Sequence, residues 1–130
     1  MELFSSNITK TRVVHFKKEK CDIYVGRPSI WQNIYTSIND RKTLALHVVS
    51  SKDEAIRKYE EYILSQPQLL AKLPELRGKI MGCWCGFADD WEPGVKMFCH
   101  AQVLQKLIRL QELGINLNST DKEIKAKLRI

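Results

Sequence analysis

Cys99 and His100 stand side by side where a periodic apolar segment begins, and Cys83-Trp84-Cys85 precedes them across a loop, residues 86–98. A thiol and an imidazole are the side chains best suited to nucleophilic and acid–base work near neutral pH. Val103, Leu104, Leu107, Ile108 and Leu110 recur at helical spacing, which places Cys99 at or near a helix start. Unpaired N–H groups and the helix dipole there favour a thiolate or hold an anion. Cys99 and His100 are therefore the catalytic candidates, with His100 as acid, base or donor.

Two other readings use the same residues. Cys83, Cys85, Cys99 and His100 supply the Cys₃His complement of a structural zinc site. Two cysteines at i and i+2 on a regular strand have side chains about 6.5–7 Å apart. Thiolates sharing one zinc must approach within about 4 Å, so the site needs a bent strand end. In the third reading Cys83 and Cys85 fill a core strand, and Cys99-His100 only opens a helix.

A second polar group lies earlier, in Gly26-Arg27-Pro28-Ser29-Ile30-Trp31-Gln32-Asn33. Gly and Pro end the preceding β-rich run, so this is a loop at a strand end, where open α/β sheets commonly hold ligands. Arg27 and Ser29 suit phosphate or carboxylate oxygens, Trp31 offers a face for stacking, and Asn33 suits an amide or base edge. The alternative is a structural loop whose Arg caps a strand end and whose Trp covers the core.

The elements that must position these groups are legible in outline. Thr11–Phe16 and Cys21–Val25 are β-branched and aromatic runs around Lys17–Lys20, which predicts two strands joined as a hairpin. His15 and Cys21 read as ordinary strand residues. Residues 34–42 show no period, and Thr43–Val49 suggests a short buried strand. Ser51-Lys52-Asp53-Glu54 has the form of a capping box and opens a helix through Leu64, with Ile56, Tyr59 and Ile63 on one face. Pro67 interrupts it, and Gln68–Leu76 makes a shorter helical piece that Gly78 ends. Residues 86–98 hold Asp89-Asp90-Trp91-Glu92 and Pro93-Gly94, and their length suggests either a lid or a surface excursion. After Gly114, residues 116–119 link to a basic helix opened by Thr120 and running through Arg129, whose Ile124, Leu128 and Ile130 suit docking on the body or on a partner.

Composition bounds the answer. The 130 residues suffice for one domain with its own core, and 44% hydrophobic with 28% charged residues is ordinary for a globular protein. No apolar run approaches the roughly 18 residues that span a bilayer. No signal-peptide pattern opens the chain, so a cytoplasmic location is expected, of a bacterium or a virus-infected host, with thiols kept reduced. The net charge of +6 permits an acidic partner, but the basic stretches Lys10–Lys20 and Lys122–Arg129 read as solvated surface rather than as a nucleic-acid groove.

Several ordered motifs carry a resemblance: Gly26-Arg27-Pro28-Ser29 with Trp31 and Asn33, Ser51–Ala55 with Tyr59, Leu76–Lys79, Gly82–Cys85, and Cys99-His100 with Val103-Leu104. Over about residues 12–113 the chain resembles the domain-of-unknown-function family 4326, small domains of bacteria, phages and other viruses. The resemblance brings no established activity. It implies that the Gly-Arg-Pro-Ser loop and the Cys-x-Cys…Cys-His elements face one another. The chain departs from the family pattern at Gln32 and Ile34, where Gly and Pro are usual, and in a longer loop between the cysteines. It departs again at Ala101-Gln102, where Gly-Asp is usual, so an acid or base at position 102 is lacking.

The expectation is a single α/β domain over residues 1–130: a loose lead-in to residue 10, a core over 11–113 built on a small mixed sheet flanked by helices, then the linker and C-terminal helix. A pocket between the Gly26–Asn33 loop and the Cys99-His100 helix start would bind or process a small phosphorylated, nucleotide-like ligand without a cofactor. The competing class is a zinc-stabilised, non-enzymatic module that binds nucleic acid or protein.

Overall fold

The computed structural model describes residues 11–15, 17–36, 47–83, 91–94 and 96–128. Ile80–Cys83 form the central strand of its main sheet, and their near-complete burial suits a strand covered on both faces. β1 (Arg12–His15) and β2 (Ile23–Tyr24) pair with it in parallel on either side, Val13 and Ile23 both opposite Met81. β3 (Tyr35–Thr36) and β4 (His47–Val48) form a separate parallel pair. Ile80–Cys83 is thus β5, and the main sheet has the order β1-β5-β2.

The α/β class is observed, but the expected hairpin is not: β5 lies between β1 and β2, and the described pairings are parallel rather than mixed. The chain leaves β1 through a turn in which Lys18 and Glu19 N–H groups bond the His15 carbonyl. It then crosses back to the end of the sheet at which β1 began, where the Asp22 N–H donates to Ile80 O at 2.8 Å and Asp22 Oδ2 accepts from Ile80 N at 2.8 Å. A segment 58 residues away in sequence therefore fixes β2.

The helices start where the caps predict. α1 (Lys52–Leu64) has Ser51 as N-cap, its hydroxyl accepting from the Glu54 N–H, while the Glu54 carboxylate accepts from Ser50 rather than completing a box. α2 (Pro67–Lys72) begins on Pro67 and passes into a 3-10 turn, Leu73–Leu76. α3 (His100–Leu113) ends at Gly114 in the left-handed conformation that glycine adopts without a Cβ penalty. Its apolar stripe packs with that of α1 and with β1 and β5 into one core, centred on Val13, Tyr59, Ile63, Met81, Leu104 and Leu107. A Lys106–Glu60 ion pair at 2.7 Å joins α3 to α1 at the edge of that core.

A second, smaller cluster unites Trp91, Leu110, Ile115 and Ile124. It docks α4 (Asp121–Leu128) on the back of α3 together with the end of the long loop. The Trp91 N–H donates to Gln105 Oε1 at 2.7 Å, so this part of the loop is wall rather than lid. The lead-in, residues 43–46, Trp84, Cys85, Asp89, Asp90 and Ile130 lie outside the described residues.

Ile124 is 0% exposed. Ile124→Ala is therefore expected to cost about 2–5 kcal/mol through lost burial and a residual cavity. Urea unfolding measures it; a cost near zero would show α4 to be undocked in solution.

Candidate functional site

The loop after β2 is built around close backbone approach and an arginine clasp. A Cβ on Gly26 would stand 2.5 Å from the Tyr24 hydroxyl, which itself donates to Arg27 O at 2.7 Å. Any larger residue would have to displace the Tyr24 ring. The Arg27–Pro28 peptide is cis. Arg27 folds back across the loop, Nε donating to Asn33 O at 2.7 Å and Nη2 to Tyr35 O at 3.4 Å. Asn33 is a strut: Nδ2 donates to Ala55 O on α1 at 3.2 Å and Oδ1 accepts from the Tyr35 N–H at 2.9 Å.

Trp31 is 3% exposed and belongs to the core, where its carbonyl accepts from the Tyr59 hydroxyl at 2.6 Å. Its indole is unavailable for stacking on a ligand, because the Trp fills the space between the loop and α1. The Ser29 hydroxyl oxygen is buried and bonds nothing among the described residues. Of the four loop residues expected at a ligand, Arg27 and Asn33 line the cleft described below, while Ser29 and Trp31 do not.

Cys99 is the N-cap of α3, in extended conformation, and its sulfur accepts from the Ala101 N–H at 3.4 Å. Gln102 reaches back so that Oε1 accepts from the Cys99 N–H at 3.0 Å and from the Phe98 N–H. His100 is buried, and its Nε2 lies 2.7 Å from Val25 O. A carbonyl only accepts, so Nε2 carries the proton and Nδ1 keeps its lone pair, 4.0 Å from Cys99 Sγ. The ring meets Tyr59 edge to face with centroids 5.1 Å apart. Burial pulls the imidazole pKa below its usual value; the Val25 carbonyl and Cys83 oppose this, and the Arg27 charge adds to it. Burial, with Cys99 and Tyr62 nearby, pushes the Tyr59 phenol well up, so it stays a donor.

A cleft of about 90 Å³ opens between this helix start, the loop and the first turn of α1. Arg27, Tyr35, Lys52, Phe98, Cys99 and His100 are among its lining residues. A single water needs about 10–15 Å³ on such a measure, so the cleft takes one small group rather than a whole drug-sized ligand. The N-termini of α1 and α3 both face it, with the Arg27 and Lys52 cations at its rim, and that combination favours an anion. Tyr35 stacks on His47 with centroids 5.2 Å apart.

Sequence reasoning did not single out Tyr35, Lys52 or Phe98. Lys52 carried a usable signal, being the first residue after a helix N-cap; Tyr35 lay in a stretch without period. For the metal reading, Cys83, Cys99 and His100 come together, and Cys85 lies outside the described residues. The Cys83 and Cys99 sulfurs are 2.9 Å apart, closer than the roughly 3.7 Å that tetrahedral bonds of about 2.3 Å impose. Among the described residues, no three His, Cys, Asp or Glu side chains are placed to hold a metal ion.

The lowered His100 pKa has a definite sign in stability. Its stabilising effect, from keeping the imidazole neutral, is fully present above the unfolded value of about 6.5 and is lost as pH falls toward the folded value. The urea midpoint should therefore drop between about pH 7.5 and pH 5.5, and His100→Gln should flatten that slope. An unchanged slope in the variant would show that His100 is not the responsible group.

The comparisons with known proteins agree with this architecture of motifs. The model of the family described as Domain of unknown function (DUF4326) matches residues 8–110. An uncharacterised protein of Acanthamoeba polyphaga mimivirus is 31% identical over 104 residues, which cover 72% of this chain and 72% of that protein. No solved structure matches. The family match takes in the Arg27 loop, the α1 start and the Cys99-His100 pair that together wall the cleft, and the chain belongs to the DUF4326 family.

Proposed function

We propose that the domain binds a small phosphorylated, nucleotide-like ligand whose phosphate alone enters this cleft, at the N-termini of α1 and α3 beside Lys52 and Arg27, with the organic part at its mouth. One observation carries the reading: two helix N-termini and two cationic side chains converge on a single concavity. Each helix terminus favours an adjacent anion by about 0.3–1 kcal/mol. An exposed charge pair adds about 0.2–1 kcal/mol.

These terms amount to weak binding for bare phosphate, since a Kd of 1 mM already needs about 4.1 kcal/mol. The rest must come from the organic part of the ligand. Tyr35 and Phe98 supply the aromatic surface at the cleft, taking the role that Trp31 cannot. His100 holds a lone pair at Nδ1, which makes it, with Cys99, the group nearest any proton transfer. Turnover is not required by the reading.

Arg27 is a poor probe of this idea, because removing it also frees the carbonyls of Asn33 and Tyr35. Lys52 is exposed and serves better. Calorimetry should show adenosine monophosphate binding several-fold more tightly than adenosine, with the difference shrinking as salt rises. Lys52→Glu should remove most of that difference while the melting temperature without ligand stays unchanged. Equal affinity for the two compounds in wild type, or no binding of any phosphorylated compound tried, would sink the proposal.

The zinc-stabilised module makes the opposite prediction for metal removal, because metal binding energy there is folding energy. With the sulfurs of Cys83 and Cys99 in direct contact, a strong chelator should leave the melting temperature unchanged. Chelator-induced unfolding would instead establish the metal module.

A further inference from the structure

We propose that Cys83 and Cys99 form a peroxide-sensitive dithiol, oxidised to an intramolecular disulfide that links the end of β5 to the start of α3. Their sulfurs are 2.9 Å apart although the residues are 16 positions apart in sequence. Forming the bond shortens that separation by about 0.9 Å, to the usual 2.03–2.05 Å.

The two cysteines have unequal access. Cys83 is fully buried, whereas Cys99, itself only 1% exposed, forms part of the cleft wall. Cys99 is therefore the sulfur that an oxidant meets first, and only a small one enters a cleft of about 90 Å³. Hydrogen peroxide fits, whereas glutathione disulfide does not. The Ala101 N–H already points at Cys99 Sγ and supports negative charge there, and His100 Nδ1 lies 4.0 Å away to take the thiol proton.

The chemistry balances. Cys99 sulfur attacks one peroxide oxygen, the O–O bond breaks, and the departing hydroxide takes the proton held by His100 and leaves as water. Cys99 is now a sulfenic acid. Cys83 sulfur attacks it, the S–O bond breaks, and hydroxide leaves with the Cys83 proton as a second water. One peroxide is reduced by two electrons and two thiols are oxidised to one disulfide. The proposal does not depend on the ligand reading, since it concerns only the two sulfurs and their access.

The test uses the full chain as Cys21→Ser/Cys85→Ser, reduced, freed of reductant and treated with equimolar hydrogen peroxide. Intact mass should fall by about 2 Da, and non-reducing peptide mapping should join the peptides carrying Cys83 and Cys99, reversibly with dithiothreitol. Glutathione disulfide at the same dose should give at most a small fraction of that link. Should the double variant not fold, wild-type protein is mapped the same way, with fragmentation separating Cys83 from Cys85. Oxidation that proceeds to a sulfinic acid, about 32 Da heavier, with no link, would overturn the proposal. So would a link through Cys85, or one formed only in denaturant.

Discussion

The hydrogen bond from His100 Nε2 to the Val25 carbonyl, at 2.7 Å, is the contact on which the cleft depends. Val25 lies just past β2 and is still tied to β5, its N–H bonded to Gly82 O at 2.9 Å. His100 is the first residue of α3. One bond therefore fixes where the loop departs relative to where the helix begins, and in a buried place, where leaving either group unpaired costs about 1–3 kcal/mol. The same bond sets the tautomer. Which His100 nitrogen carries the proton follows from the carbonyl it faces, while burial lowers the pKa.

From that anchor the loop is hung at further points. Tyr59 reaches from α1 to Trp31 O, and Asn33 reaches from the loop to Ala55 O, so α1 holds the loop's far side as α3 holds its origin. Arg27 closes the span from within. Residue types that suit ligand recognition are consequently spent on architecture: Asn33 bonds backbone, Trp31 fills the core, and Arg27 contributes its charge while its N–H groups brace carbonyls. On the proposed ligand reading, binding chemistry passes to residues at the rim, and the loop is braced by its own hydrogen bonds without a ligand.

This explains which parts of the molecule were legible in the sequence. α1 and α3 were, because Ser51 with Glu54 and the Val103–Leu110 periodicity are local signals whose physics is complete within one or two turns. The meeting of the Arg27 loop with the Cys99-His100 pair was suggested by the family motifs. The parallel pairing of β1 and β2 with β5 was not, since Arg12–His15 and Ile23–Tyr24 have the same composition whether they pair with each other or with a strand far along the chain. The fate of Trp31 was undetermined for a related reason. An indole beside an arginine suits a stacking platform and a core plug equally, and only the position of Tyr59, 28 residues away, decides between them.

The departures from the family pattern also acquire physical meaning. At position 102 the usual carboxylate is an amide, yet Gln102 Oε1 still accepts from the N–H groups ahead of α3, so what this residue does here is cap the helix. An acceptor oxygen is needed for that, and a charge is not. The longer loop and the C-terminal helix are coupled in the same way. Trp91 from the loop and Ile124 from α4 meet over Leu110 and Ile115, and the Gly94 backbone passes so close to Lys125 that a Cβ would collide with its ammonium group. The family match stops at residue 110, so α4 lies beyond the shared part, and the loop's Trp91 is the side chain that it covers. Each element hides apolar surface that the other would leave in water. Trp91 and α4 thus pack together on α3 near Leu110, while the cleft lies at that helix's opposite end, walled by residues within the matched part of the chain.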